Sequence, residues 1–289
     1  MSVNTEICKA FNKNAHHYEQ VALVQHEIGE RLFERLQYLK IKPRFILDLG
    51  CGPGTFSKRL QTCYPDALII GFDLAIGMLK EAKTKQGWWK KWPLVAGDML
   101  AMPFPDGLFD LVFANQVIHW APSLPNVMSE LGRVMNKNGC LMFSTLGPDT
   151  FRELRHVALG QDKHAHTNHF MDMHDVGDCL LAEHFLDPVV DMDMMTAHYP
   201  SSRALLQGLK AQGVRNINPK RNPGLTGKAT FNAFEQEISA FKTAQGKYPL
   251  TYEVVYGHAW KGEQRRLEKG TETTISVSEL RKTYRANKE

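Results

Sequence analysis

The chain has 289 residues, 35 basic and 31 acidic side chains, 12 histidines and a formal net charge of +4. So small a charge does not mark a nucleic-acid binder, no apolar run approaches the roughly 18 residues of a membrane span, and Met1 to Lys13 lacks the apolar centre of a secretory signal. The five cysteines are odd in number and scattered, with no Cys-x-x-Cys pair, so a disulfide scaffold or zinc ribbon does not fit and a reduced, cytoplasmic setting is expected.

In chain order, the apolar run Ile46-Leu47-Asp48-Leu49 reads as a buried strand that stops in Gly50-Cys51-Gly52-Pro53-Gly54. Three alternating glycines let backbone approach a ligand where a Cβ would collide, and the helix that follows offers unpaired N–H groups. A nucleotide pocket is expected there, with an ordinary glycine turn as the alternative. Ala67 to Phe72 is a second strand ending at Asp73, and Gly77 to Lys85 has helical composition. Leu94-Val95-Ala96 leads into Gly97-Asp98-Met99, and Phe109 to Ala114 is a buried-strand run that ends at Asn115-Gln116. Ser123 is placed as an N-cap with Pro125 in the first turn, and Leu124, Val127, Met128, Leu131, Val134 and Met135 follow at helical spacing. Lys137-Asn138-Gly139 turns the chain into a fifth strand, Cys140 to Leu146. This alternation predicts an α/β fold with a mostly parallel sheet.

From about 147 to 186 the sequence is polar and histidine-rich, with helices expected at Thr150 to Ala158 and Asp175 to Ala182, as an insertion above the sheet. Val189 to Met194 and Tyr252 to Trp260 are candidate sixth and seventh strands, separated by helical segments at Ser202 to Gln212 and Thr230 to Lys242. After Lys261 a polar, weakly ordered tail is expected. The expected division is therefore one domain over 1–261, with a helical lid (1–40), a cofactor-binding half (41–146), the insertion (147–186) and carboxyl-terminal strands and helices (187–261), then a tail over 262–289.

The spacing Asp-x-Gly-x-Gly-x-Gly over Asp48, Gly50, Gly52 and Gly54, with Cys51 between, resembles the first motif of the class I methyltransferases, which use S-adenosylmethionine and have a Rossmann-like sheet. Asp73, twenty-five positions beyond Asp48, stands where such a fold places a carboxylate for both ribose hydroxyls; a helix N-cap is its other reading. Asp98 with Met99 resembles the next methyltransferase motif, facing the adenine. Asn115 and Gln116 close the fourth strand at the same edge, and Leu74 and Met78 either cover the base or belong to the core.

A closer resemblance is carried by Phe11 to Gln25, by Ser144 to Arg155, by Asn168 to Asp178 and by Tyr252 to Trp260. These stretches are similar to the malonyl-acyl-carrier-protein O-methyltransferase family of biotin synthesis, over about residues 10 to 261. The resemblance implies methyl transfer from S-adenosylmethionine to the free carboxylate of malonyl-acyl carrier protein, an early step of that synthesis. A malonyl carboxylate is ionised at neutral pH, so positioning matters more than a general base. A guanidinium fork suits a carboxylate, which makes Arg155 the first candidate clamp and Arg152 the second. Ser144 and Tyr18 are further substrate-binding candidates, Tyr18 alternatively covering the cofactor. His119 and Trp120 either line the transfer site or form a packed wall. No metal is expected: His164, His166, His169 and His174 lack a paired carboxylate or cysteine framework. Basic clusters at Lys80 to Lys91 and Lys210 to Arg221 either form a solvated face or suit an acidic carrier protein. Methylation of another small carboxylic acid or of a quinone precursor is an alternative function, as is a role as a non-methylating assembly factor that binds S-adenosylmethionine.

Overall fold

A computed structural model describes residues 3–88, 91–158, 168, 170–213 and 228–262. Three helices, α1 (Val3–Asn14), α2 (Tyr18–Val21) and α3 (Leu23–Arg35), precede the first strand, β1 (Phe45–Leu49). The chain then alternates through α4 (Thr55–Cys63), β2 (Leu68–Asp73), α5 (Ile76–Thr84), β3 (Leu94–Ala96), β4 (Phe109–Asn115), α6 (Leu124–Val134) and β5 (Met135–Leu146). It continues with α7 (Arg152–Ala158), α8 (Met173–Ala182), β6 (Phe185–Tyr199), α9 (Ser202–Ala211), α10 (Lys228–Ile238) and β7 (Tyr248–Lys261).

The seven strands form one sheet in the order β3-β2-β1-β4-β5-β7-β6. Neighbours from β3 to β5 are parallel, and β7 alone runs against its two neighbours. This is the expected α/β architecture. Parallel strands need both faces covered, which is why β1 and β4 read as continuous apolar runs. One face carries Ile28 and Leu32 of α3 with Phe56 and Leu60 of α4; the other carries Val127, Met128 and Leu131 of α6. Ser123 caps α6, accepting from the Asn126 N–H, with Pro125 in the first turn. No described helix is long and apolar enough to cross a membrane.

Three elements are longer than their sequence pattern. β5 begins at Met135, because Met135 pairs with Phe109 ahead of an irregularity that resumes the ladder at Cys140 opposite Leu111. β6 and β7 run to 15 and 14 residues because they pair with each other from Tyr199 opposite Tyr248 to Phe185 opposite Lys261. β6 is an edge strand, and Asp187-Pro188, at the irregularity between Leu186 and Val189, breaks the pattern ahead of the predicted Val189 to Met194 run. The tail expected after Lys261 lies, apart from Gly262, outside the described residues.

α7 is fastened to β7 by buried carboxylates. Glu153 accepts from the Thr251 N–H at 3.0 Å and from its hydroxyl, and Glu253 accepts from the Asp149 N–H at 2.5 Å. At the opposite end of the chain, Arg31 and Arg35 of α3 pair with Asp193 and Asp191 of β6.

Candidate active site

The carboxyl ends of β1, β2 and β4 converge on the glycine loop, the position at which a switch in strand order opens a crevice. Gly50 and Cys51 both donate N–H groups to the Phe72 carbonyl, at 2.8 and 3.0 Å, so the loop is tied to the end of β2. Gly50, Gly52 and Gly54 have φ of 67°, 52° and 78°, a region that costs other residues about 1–2 kcal/mol. A Cβ at Gly52 would meet no protein atom within 4 Å, and Gly52 lines two cavities, so a side chain there would project into open space. Gly52→Ala should therefore lower affinity for S-adenosylhomocysteine by at least about tenfold at a stability cost of only about 1–2 kcal/mol, as titration calorimetry and urea unfolding would show. Unchanged affinity would place the ligand elsewhere.

Asp73 braces this loop: Oδ2 accepts from the Gly52 N–H at 2.9 Å and Oδ1 from the Ala75 N–H at 2.8 Å. Each oxygen keeps a lone pair for a further donor. Burial raises the carboxyl above its ordinary range, against the opposing pull of these backbone donors. Asp48, buried and accepting from the Ser57 hydroxyl, is pushed up by burial to about 7. The sign follows directly. Between about pH 4 and pH 7 native Asp48 keeps a proton that the unfolded chain has released, so its contribution to stability is lost as pH rises through that window. Asp48→Asn should flatten the fall in urea midpoint from pH 5 to pH 8; identical slopes in both proteins would remove Asp48 as its source.

The main cavity, about 820 Å³, lies over the strand ends and is lined by Gly50, Gly52, Asp73, Leu74, Met78, Asp98, Met99, Asn115, Gln116 and Trp120, with Phe11 and Tyr18 from the amino-terminal helices. Met78 is at once buried core and cavity wall. A smaller cavity of about 450 Å³ adjoins it, sharing Phe11, Tyr18, Gln116 and Trp120 and adding Gln25, His119, Leu146, Phe151, Phe170, Gln212 and Tyr252. Asp48 and Cys51 line a third, beneath the loop, and burial holds the Cys51 thiol well above its usual pKa. Tyr18 belongs to all three. Phe11 sets its ring edge-on to Tyr18 and to Trp120, with centroids 6.0 and 5.5 Å apart, so the amino-terminal segment closes the space where the first two cavities meet.

Ser144 lines none of these cavities. Fully buried, it donates to Asn115 Oδ1 at 2.7 Å and accepts from the Gln116 N–H at 3.0 Å. Gln116 has φ of 54°, rare outside glycine, and its amide is fixed by donation to the Thr145 carbonyl at 3.2 Å. Ser144, a substrate-binding candidate in the sequence, thus lies behind Asn115 and Gln116 rather than in a cavity wall. Arg152 and Arg155 are not brought to the cavities either. Arg155 donates to the Pro148 carbonyl and lies 3.7 Å from Asp149, and Arg152 faces Glu153 at 3.9 Å. Sequence reasoning missed Gln25, Phe151, Phe170, Gln212 and Tyr252 as cavity walls; Gln25, Phe151, Phe170 and Tyr252 lie in stretches that carried the family resemblance, while Gln212 gave no signal. His164, His166 and His169 lie outside the described residues, and among the described residues no cluster of metal-ligating side chains occurs.

Residues 47–143 match the family model described as a methyltransferase domain. The malonyl-[acyl-carrier protein] O-methyltransferase of Legionella pneumophila is 63% identical over 97% of this chain and 99% of its own, and that of Gallionella capsiferriformans is 42% identical over 88% and 89%. In fold, the chain resembles the YcgJ protein of Bacillus subtilis, with a TM-score of 0.58 and 14% identity over 80% of this chain and 98% of that one. With identity this high across nearly its whole length, the chain belongs to the malonyl-[acyl-carrier protein] O-methyltransferase family.

Proposed function

We propose that the protein transfers a methyl group from S-adenosylmethionine to the free carboxylate of malonyl-acyl carrier protein, giving the methyl ester at an early step of biotin synthesis, in the cytoplasm. The observation that carries this reading is the pair of cavities that meet at Tyr18, Gln116 and Trp120, one over a glycine loop and the other walled by the stretches that carry the family resemblance. The methyl donor fits the larger cavity: Gly52 leaves room where a side chain would intrude, and Asp73 retains lone pairs for two ribose hydroxyls. Asp98 and Met99 would take the adenine, with Leu74 and Met78 against its ring, and Asn115 and Gln116 the amino-acid end. When bound, that donor supplies an electrophilic methyl group on sulfur.

The chain's own part is positional. A malonyl carboxylate needs no deprotonation at neutral pH, so holding its oxygen in line with the methyl is the main contribution, worth up to about 7–11 kcal/mol in ideal geometry. Ser144 holds the backbone and side chain of Gln116 where the cavities meet. The division into a lid (1–40), a cofactor half (41–146), an insertion (147–186) and a carboxyl-terminal part (187–261) fits this arrangement, since Phe11 and Tyr18 close the cavities from the first segment. An acidic carrier protein would be drawn by the basic stretches, of which Lys80, Lys83, Lys85, Lys91 and Lys210 are described, while Lys90, Arg215, Lys220 and Arg221 lie outside the described residues. Mass spectrometry of malonyl-carrier protein after incubation with S-adenosylmethionine should show the mass of one methyl ester. No ester there, with turnover of free acids, would sink this assignment.

A further inference from the structure

On that reading, we propose that the smaller cavity, uncharged in its described lining, is the acceptor site, in which the His119 imidazole orients the substrate carboxylate and leaves its charge to be balanced by the sulfonium of the methyl donor.

The described side chains that line this cavity are aromatic, aliphatic, amide, hydroxyl or imidazole. His119 lies against Trp120 and Phe170, with ring centroids 5.3 and 5.7 Å away. Its Nδ1 is sealed from solvent without a hydrogen-bond partner, an expensive condition for a native polar atom unless a ligand relieves it. Burial moves its pKa down to about 3, so at neutral pH it is a neutral ring rather than a cation. On the opposite wall Gln25 donates to Gln212 at 3.1 Å and Gln212 to the Val21 carbonyl at 3.2 Å, so these amides are held in place, and Gln25 Oε1 is left without a partner. Arg155 and Arg152, the guanidinium groups of the neighbouring helix, are engaged with Pro148, Asp149 and Glu153 instead.

An uncharged wall suits this chemistry. A carboxylate oxygen attacks the methyl carbon, the new C–O bond forms as the C–S bond breaks, and two opposite charges become a neutral ester and a neutral thioether. Charge is lost on the way to the transition state, so a low-dielectric surround favours the reaction. A guanidinium fork would instead stabilise the charge of the ground state and occupy the lone pairs that must attack. His119 can fix an oxygen by one hydrogen bond without supplying a counter-charge.

The site should then sense the charge of its neighbour. Binding of malonyl-carrier protein would be measured with enzyme saturated either by sinefungin, which carries an ammonium near the sulfonium position, or by S-adenosylhomocysteine, which is uncharged there. We expect the malonyl form to bind at least about tenfold tighter with sinefungin, and its methyl ester to bind within about twofold with either. That preference should survive Arg155→Ala. His119→Ala should raise KM by about tenfold, and His119→Gln, a neutral hydrogen-bonding side chain, should restore most of the loss. Equal affinity for the malonyl form in both saturated states, or a preference abolished by Arg155→Ala, would overturn the assignment. If the wild-type enzyme forms no ester on malonyl-carrier protein, the functional reading itself fails and the acceptor site falls with it.

Discussion

Asp73→Ala should lower affinity for S-adenosylhomocysteine by at least about 100-fold while far-UV circular dichroism stays that of the folded protein. Two ribose hydroxyls hydrogen-bonded to one ionised carboxylate are worth about 1.5–3 kcal/mol each, so their joint loss reaches this range. Asp73 also accepts from the Gly52 and Ala75 N–H groups, so the substitution loosens the loop that shapes the cavity. Asp73→Asn should fall between, since its amide keeps one acceptor and turns a donor toward groups that are themselves donors. Calorimetric titration would decide: affinity within about threefold of wild type in the alanine variant would show that Asp73 braces the loop without touching ribose.

The second large effect is expected at Tyr18, which with Gln116 lines all three cavities. Tyr18→Ala removes both the ring that packs on Phe11 and the hydroxyl it carries, so kcat/KM for malonyl-carrier protein should fall about 1,000-fold, or about 4 kcal/mol. Tyr18→Phe keeps the ring and should lose only about tenfold. Affinity for S-adenosylhomocysteine should change less than catalysis in both, since Asp73 and the glycine loop remain. Alanine-variant kinetics within about threefold of wild type would remove Tyr18 from the transfer site.

The strand ends around the glycine loop were legible because their signals are local. Gly50, Gly52 and Gly54, then Asp73, Asp98 and Asn115, each sit where an apolar strand stops, and strand ends are short-range features. The acceptor side was less legible because its wall is assembled from Gln25, His119, Phe151, Gln212 and Tyr252, which are far apart in sequence and share no spacing. The arginine fork was inferred from the chemistry of a carboxylate alone; whether Arg155 reaches Pro148 or a ligand depends on how the turn before α7 folds, which residue type does not reveal. Ser144 illustrates the same limit. Its place at the end of β5 was readable, but not that its hydroxyl would be spent on Asn115 and Gln116.

The strand order carries a consequence for biosynthesis. β7 is the last of the described strands in chain order yet lies between β5 and β6, so β6 has no partner in the described sheet until residues 248–261 have been synthesised. The glycine loop, Asp73 and Asn115 all emerge earlier and can assemble with β1 to β5, whereas Tyr252 and the seat of α7 arrive only with the final strand. A chain stalled after β6 and before β7 should therefore resist protease over β1 to β5 and leave β6 sensitive, and equal protection of both would contradict this order. Growth from the ribosome thus completes the donor's chamber first and the acceptor's last, so a truncated product would lack the means to commit a methyl group to any substrate.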